Sequence, residues 1–561
     1  MARPLLASRV RGAPESAGKR ARRGSLTGAF SMKTIRRHPV TLALAAGAAA
    51  LLLFAGGIGR LKAQASGPEL KDPHLAVRTS ADGFITPIGI AFLGANDWFV
   101  IEKQTGQVKH VVNGAVDATV LDLAVNNASE RGLLGIALHP NFTTNHFVYL
   151  FWTCPAAPPP AESPFFPTAT TCADTPELGA DTGNILAVPL LGNRVDRFVW
   201  DSSTSTLTFD KNLIKLRSFQ NDGAPDPPNQ GDETQPPRGN HNGGVIRFGP
   251  DGKLYIFFGD QGRRGQLQNL PSGPTLTGLG PTVPDDQFGG PEPDNAHFSG
   301  VIMRLNDDGT SPSDNPFFAA GAAMGGEVGA NIQKIFAYGV RNSFGLAFDP
   351  LSGNLWESEN GEDAYDELNR IEPGMNGGWI QIQGPSSRVP DYRFIETTFA
   401  HEEAFPNLQQ FRWGPERIAQ TPAEALSRLF MLPGAHFSEP EFAWRLVVPP
   451  AAIGFVKGRG LGPQFEGDLF VGAAEFDAEE GEGGQLFRFN LTGNRRKIGV
   501  DLPGLEDRVD DNDEFGEPLE SEPLEIGERF GIVTDIQTGP NGNLFVVSLT
   551  DGKIYEIFRN K

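Results

Sequence analysis

The chain has 561 residues, with 68 Asp/Glu against 48 Lys/Arg and a formal net charge of −20. So acidic a balance repels nucleic acid and anionic lipid and attracts cations such as calcium, and no nucleic-acid partner is expected. Two cysteines, with no CxxC or Cys/His cluster, argue against zinc, haem c and iron–sulfur centres.

An apolar run from Val40 to Gly59 follows Lys33, Arg36, Arg37 and His38 and precedes an A-x-A site at Ala63-Gln64-Ala65. Basic flank, apolar core and small-residue exit are the parts of a secretory signal peptide, so the protein is expected to be exported, periplasmic or secreted. The run also approaches the ~20 residues of a transmembrane helix, and a retained N-terminal membrane anchor is the alternative. Met32 directly precedes the basic flank and is a second candidate start. Residues 1–65 are read as an extension with a signal peptide, and residues 66–561 as one folded domain. The leader carries twelve Lys/Arg and one acid, so cutting after Ala65 leaves 496 residues with a net charge of −31.

The body is rich in Gly and Pro and poor in long helical periodicity, which predicts many short strands and turns. One pattern recurs: an apolar strand, a turn built on Pro, Asp, Asn or Gly, then a strand with aromatic residues. It occurs at Ile90–Val108, Ile136–Trp152, Val245–Gly259, Leu346–Glu359, Ile453–Val471 and Ile536–Leu549. Six such units, none able to bury both faces alone, predict an all-β radial array, a six-bladed β-propeller. Uneven spacing places long insertions at about 153–185, 263–298 and 380–445. The first brackets a Pro-rich stretch with Cys154 and Cys172, which in an oxidising compartment pair across seventeen intervening residues. Closing that loop would contribute about 3 kcal/mol.

Three segments carry chemistry: Glu130–Phe142 (ERGLLGIALHPNF), Arg238–Arg264 (RGNHNGGVIRFGPDGKLYIFFGDQGRR) and Tyr338–Trp379, which contains GVRNSFGLAFDP and DELNRIEPGMNGGW. Physically, His241 among glycines suits close ligand approach and general-base work. Asp260, nineteen residues on, is placed to orient an imidazole from the neighbouring strand end. A fixed guanidinium such as Arg341 suits a developing negative charge. The run Ser358–Glu367 is a cluster of hard oxygens suited to calcium.

These motifs, in this order, resemble the glucose/sorbosone dehydrogenase family, whose soluble members use pyrroloquinoline quinone (PQQ) and calcium. The resemblance runs from about residue 70 to the C-terminus. It implies a quinoprotein oxidoreductase for carbohydrate oxidation, taking a sugar or polyol and passing electrons to an external acceptor. It assigns His241 as base, Asp260 as its orienting acid and Arg341 as the stabiliser of the reduced quinone. Glu130, Asn240, His241, Arg341, Asn342, Gly361 and Glu362 are the cofactor-lining positions. The carbonyls of Gly361 and Glu362 would bind the calcium that holds PQQ, and Glu367 with the Gly377 carbonyl would bind a second calcium.

The chain also departs from the family pattern. Glu130 stands in place of a Gln, Glu362 in place of a Pro and Gly377 in place of an aromatic residue. The Lys and the two Arg that clamp the cofactor's carboxylates are missing: their places read Val471-Gly472-Ala473-Ala474-Glu475-Phe476 and Gly531-Ile532-Val533-Thr534-Asp535. Arg263, Arg264, Lys457 and Arg459 are candidate substitutes. Two further readings stand beside the dehydrogenase: a calcium-dependent propeller lactonase, and a binding propeller that has lost its cofactor.

Overall fold

Runs of β-branched and aromatic residues form the strands, and the central ones are buried on both faces, as in Asp97–Glu102 (DWFVIE) and Leu254–Phe258 (LYIFF). The turns between them follow from their Gly and Pro. At Gly249-Pro250-Asp251-Gly252 the Gly252 N–H donates to the Gly249 carbonyl at 2.9 Å, and Gly252 takes φ +72°, a conformation that favours glycine. The computed structural model describes residues 67–127, 130–154, 171–172, 188–189, 192–217, 241–260, 300–399, 419–474, 484–513, 516 and 518–560.

Among these residues the strands form six sheets of four or more strands and one two-stranded pair. The first sheet is a meander of Pro87–Gly94, Asp97–Glu102, Gln107–Val112 and Ala115–Asp122. Later sheets begin at Leu133–Leu138, Ile246–Phe248, Gly345–Phe348, Pro450–Phe455 and Val533–Thr538. The six strand–turn–strand units expected from the sequence fall on the opening hairpins of these six sheets. The opening strand of each sheet packs against that of the next, and the sixth returns to the first. This arrangement is an all-β propeller.

Closure uses both ends of the described chain. Leu75–Asp82 pairs antiparallel with Lys553–Arg559 and completes the sixth sheet. Asp535 of that sheet accepts the Ile90 N–H of the first at 3.0 Å. Between sheets the core is aromatic: Trp444 lies 4.9 Å from Phe442 and 5.5 Å from Phe487, ring centre to ring centre.

Of the three expected insertions, the third carries helices Val389–Phe399 and Pro422–Arg428 between Ala364–Ile371 and Phe442–Leu446. Two more helices, Phe318–Met324 and Gly326–Ile332, precede the last long strand of the third sheet and were not expected. The second insertion lies outside the described residues, as does most of the first. Buried Cys154 is disulfide-bonded, and the strand Thr171–Cys172 carries the chain's other cysteine. The chain divides into Met1–Leu42 and Ala43–Lys561, and the N-terminal segment with its apolar run lies outside the described residues. Among the described residues no helix is long and apolar enough to cross a membrane.

Candidate active site

His241 stands just before the opening strand of the third sheet, and Asp260 follows Leu254–Phe258, the strand beside it. The two meet: His241 Nδ1 lies 2.6 Å from Asp260 Oδ1, with both side chains buried. Their backbones are also close, and a Cβ on Gly259 would sit 2.3 Å from the His241 carbonyl oxygen, so only glycine fits there. His241 itself takes φ +54°, and its N–H donates to Glu130 Oε2 at 2.7 Å, which holds it in that left-handed conformation. The second oxygen of Asp260 accepts from Trp379 Nε1 at 2.9 Å. The carboxylate is thus fixed at both oxygens, and its ring partner is set as the Nδ1–H tautomer. Among the described residues His241 Nε2 is buried without a partner, an acceptor with nothing to accept.

Arg341 follows Ile335–Tyr338 of the third sheet and is fully buried. Its Nε donates to Glu362 Oε2 at 3.0 Å, its Nη2 to the same oxygen, and its Nη1 to the Asn360 carbonyl at 2.9 Å. Burial works against its charge, but the carboxylates of Glu362, Asp260 and Glu130 hold its pKa above the ordinary arginine value. Asn342 donates to Glu130 Oε2 at 3.1 Å, while its Oδ1 is buried and has no partner among the described residues. Glu130 therefore joins His241 and Asn342 through one oxygen.

Gly361 sits where a Cβ would lie 2.4 Å from the Ala364 carbonyl oxygen, and its N–H donates to Asp366 Oδ1 at 2.7 Å. Asp366 also accepts from the Val448 N–H at 2.7 Å, yet burial outweighs both bonds and raises its pKa to about 7. Glu367 accepts from the Gly384 N–H and from Asn369 Nδ2, the latter at 2.8 Å. Gly377 follows the strand Met375–Asn376 and donates to the Tyr338 carbonyl at 2.8 Å. Asn240, Arg263 and Arg264 lie outside the described residues.

A cavity of about 780 Å³, its open mouth included, lies at one rim of the ring of opening strands. Glu130, Arg341, Asn342, Gly361 and Asp366 line it, together with Lys103. Ile532 and Thr534, where the resemblance expects two Arg, also line it, as does Ala474 from the stretch where it expects a Lys. Lys457 and Arg459, offered as substitutes, do not: both are exposed, and Arg459 pairs with Glu466 at 2.8 Å. Among the described residues the further cation that lines the cavity is Lys103, which sequence reasoning missed. Its signal was a basic residue directly after the strand Asp97–Glu102, whose four inner residues are apolar. Trp379 ends a quoted motif but had been given no role. Among the described residues no three His, Cys, Asp or Glu side chains are grouped to hold a metal, so the carboxylate cage that the lactonase reading requires is not found there.

The described residues thus combine an all-β propeller with a buried His–Asp pair. The family model described as Glucose / Sorbosone dehydrogenase matches residues 84–162 and 231–389, so the chain is similar to that family over those two segments. An uncharacterized protein of Synechocystis sp. is 25% identical over 510 residues, covering 88% of this chain and 87% of that protein. Quinoprotein glucose dehydrogenase B of Acinetobacter calcoaceticus is 28% identical over 302 residues, covering 52% of this chain and 49% of the relative. The soluble aldose sugar dehydrogenase of Escherichia coli, solved in its apo form, shares the fold at TM-score 0.52 and 20% identity, over 87% of this chain and 100% of its own.

Proposed function

We propose that this chain is an exported dehydrogenase acting on CH–OH groups of a sugar or polyol, in which the six sheets are six blades of one domain, residues 66–561. The observation that carries the reading is His241: Nδ1 is held by Asp260 at 2.6 Å, and Nε2 is buried with no partner among the described residues. Nε2 is the atom that takes the hydroxyl proton of the substrate. Asp260 keeps the ring in the tautomer that can accept it and then stabilises the imidazolium. Loss of that proton makes the carbinol carbon a hydride donor.

The family's electron acceptor is PQQ held by calcium. The Gly361 and Glu362 carbonyls are suited to a hard cation, and Asn342 Oδ1 awaits a donor. Among the described residues the remainder of the donor set does not fit. PQQ carries three carboxylates, and the wall presents Ile532 and Thr534 where the resemblance expects arginines, while the Arg341 guanidinium is already engaged by Glu362. No step through PQQ is derived. That engagement of Arg341 also favours a second reading, a propeller that binds its ligand without turning it over.

One substitution separates the two. His241→Asn should cost about 10²–10⁴-fold in kcat on the best sugar or polyol substrate while leaving the melting temperature close to that of the parent. The ascending limb of the pH–rate profile should disappear with it. Turnover unchanged in His241→Asn would exclude His241 as base, and no turnover in the parent over a broad sugar and acceptor panel would favour the binding reading.

A further inference from the structure

We propose that Asn193 is a positioning residue for His241, holding through Asn242 the loop that keeps the imidazole on Asp260. The proposal deepens the reading of His241 as base and rests on it, but its first readout needs no turnover.

The contact between ring and carboxylate cannot hold His241 by itself. At φ +54° the residue sits in a backbone region that side chains disfavour, and relaxing that angle would swing the imidazole off Asp260. The loop is therefore tied down along its length. At its start, Glu130 accepts the His241 N–H at 2.7 Å. At its end, the Gly244 N–H donates to the Phe257 carbonyl at 3.1 Å. Between these ties the side chain of Asn242 is gripped from the second sheet, its Oδ1 accepting from Asn193 Nδ2 at 2.7 Å.

Asn193 is prepared for that grip by its own strand pair. It is the second residue of Gly192–Asp201 and lies opposite Thr153, the last residue of Phe147–Thr153. The Thr153 hydroxyl donates to Asn193 Oδ1 at 2.5 Å, which fixes the amide with its Nδ2 toward Asn242. Thr153 Oγ1 in turn accepts at 3.5 Å from the N–H of Gly132, two residues past Glu130. The bonds close a circuit. One short segment, Glu130–Gly132, supports His241 directly at its backbone and again through Thr153, Asn193 and Asn242. All four side chains, His241 included, are buried, so a broken bond leaves its partners unsatisfied and the loop free to shift.

The test uses the full chain, labelled at histidine, and long-range 1H–15N spectra. The proton between His241 Nδ1 and Asp260 should give a downfield resonance in the parent that is absent from His241→Asn. Asn193→Leu keeps the volume and loses both bonds, and the resonance should broaden or vanish well below the melting temperature. Thr153→Val, which is isosteric, should weaken it, and Thr153→Ser, which keeps the hydroxyl, should retain it. On the best sugar or polyol substrate Asn193→Leu should lower kcat by about 10–100-fold with KM within about threefold, because a misplaced base slows the chemical step more than binding. A merely structural Asn193 would lower the melting temperature and leave the resonance and kcat as in the parent. An unchanged resonance in folded Asn193→Leu, or in Thr153→Val where Asn193→Leu does not fold, overturns the proposal. So does an equal loss in Thr153→Val and Thr153→Ser. A parent without turnover on any sugar overturns the dehydrogenase reading instead, and the resonance still decides whether Asn193 holds His241.

Discussion

Glu130 accepts from the His241 backbone and from the Asn342 amide through one oxygen, so two functional side chains depend on a single carboxylate. Glu130→Ala would leave a buried N–H and a buried amide unpaired and should destabilise the protein by about 1–3 kcal/mol in urea titration. Glu130→Gln keeps an acceptor oxygen and should cost less, with the difference read from the same curves. Equal losses in the two variants would mean that side-chain volume, not the hydrogen bonds, matters at this position. Much of this constellation was legible from residue types and glycine spacing, as with His241 and Asp260. What was not legible is the engagement of each group. Arg341 reads as a cation in any sequence, and only the fold shows that Glu362 and the Asn360 carbonyl already occupy it. Lys103 was missed because no motif signals it: it follows the strand Asp97–Glu102, far from His241 in sequence, and reaches the cavity only through the ring.

At the scale of the strand, Leu355–Glu359 and Ala364–Ile371 carry an unusual load of buried acid. Glu357, Glu359 and Glu367 converge on the Asn369 amide nitrogen, at 3.1, 3.4 and 2.8 Å. Burial raises all three pKa values, as it does for Asp366, with Glu367 and Asp366 each pushed up to about 7. These carboxyls hold protons in the folded chain that the unfolded chain releases near pH 4. Stability is therefore greatest below that range and falls as the pH rises through about 7. With a chelator present, the melting temperature should drop by on the order of 5 °C between pH 5 and pH 8. A flat or rising profile would show that the folded chain carries these groups ionised. The hairpins of this element were legible because apolar strands and Gly/Pro turns alternate along the chain. The helices Phe318–Met324 and Gly326–Ile332 were not, being short, rich in Gly and Ala, and without a strong apolar stripe.

At the scale of the whole molecule, the ring was legible as six repeats of one hairpin, whereas its closure was not. Nothing in the local pattern of Leu75–Asp82 says that its partner is Lys553–Arg559; the pairing follows from the last sheet having three strands of its own and an open edge. Deleting the described chain through Asp82 should leave that edge unpaired, and the truncated protein should lose its cooperative melting transition and elute as aggregates in gel filtration. A monomer with parental melting behaviour would mean that the strand is dispensable. The same pairing sets a clock on biosynthesis. The ribosome makes the first partner long before the second, and at roughly 5–20 residues per second the interval is roughly 25–95 s. Throughout that time the strand that will seal the ring has no mate, so a nascent chain of this protein depends on being kept from its neighbours until its last residues emerge.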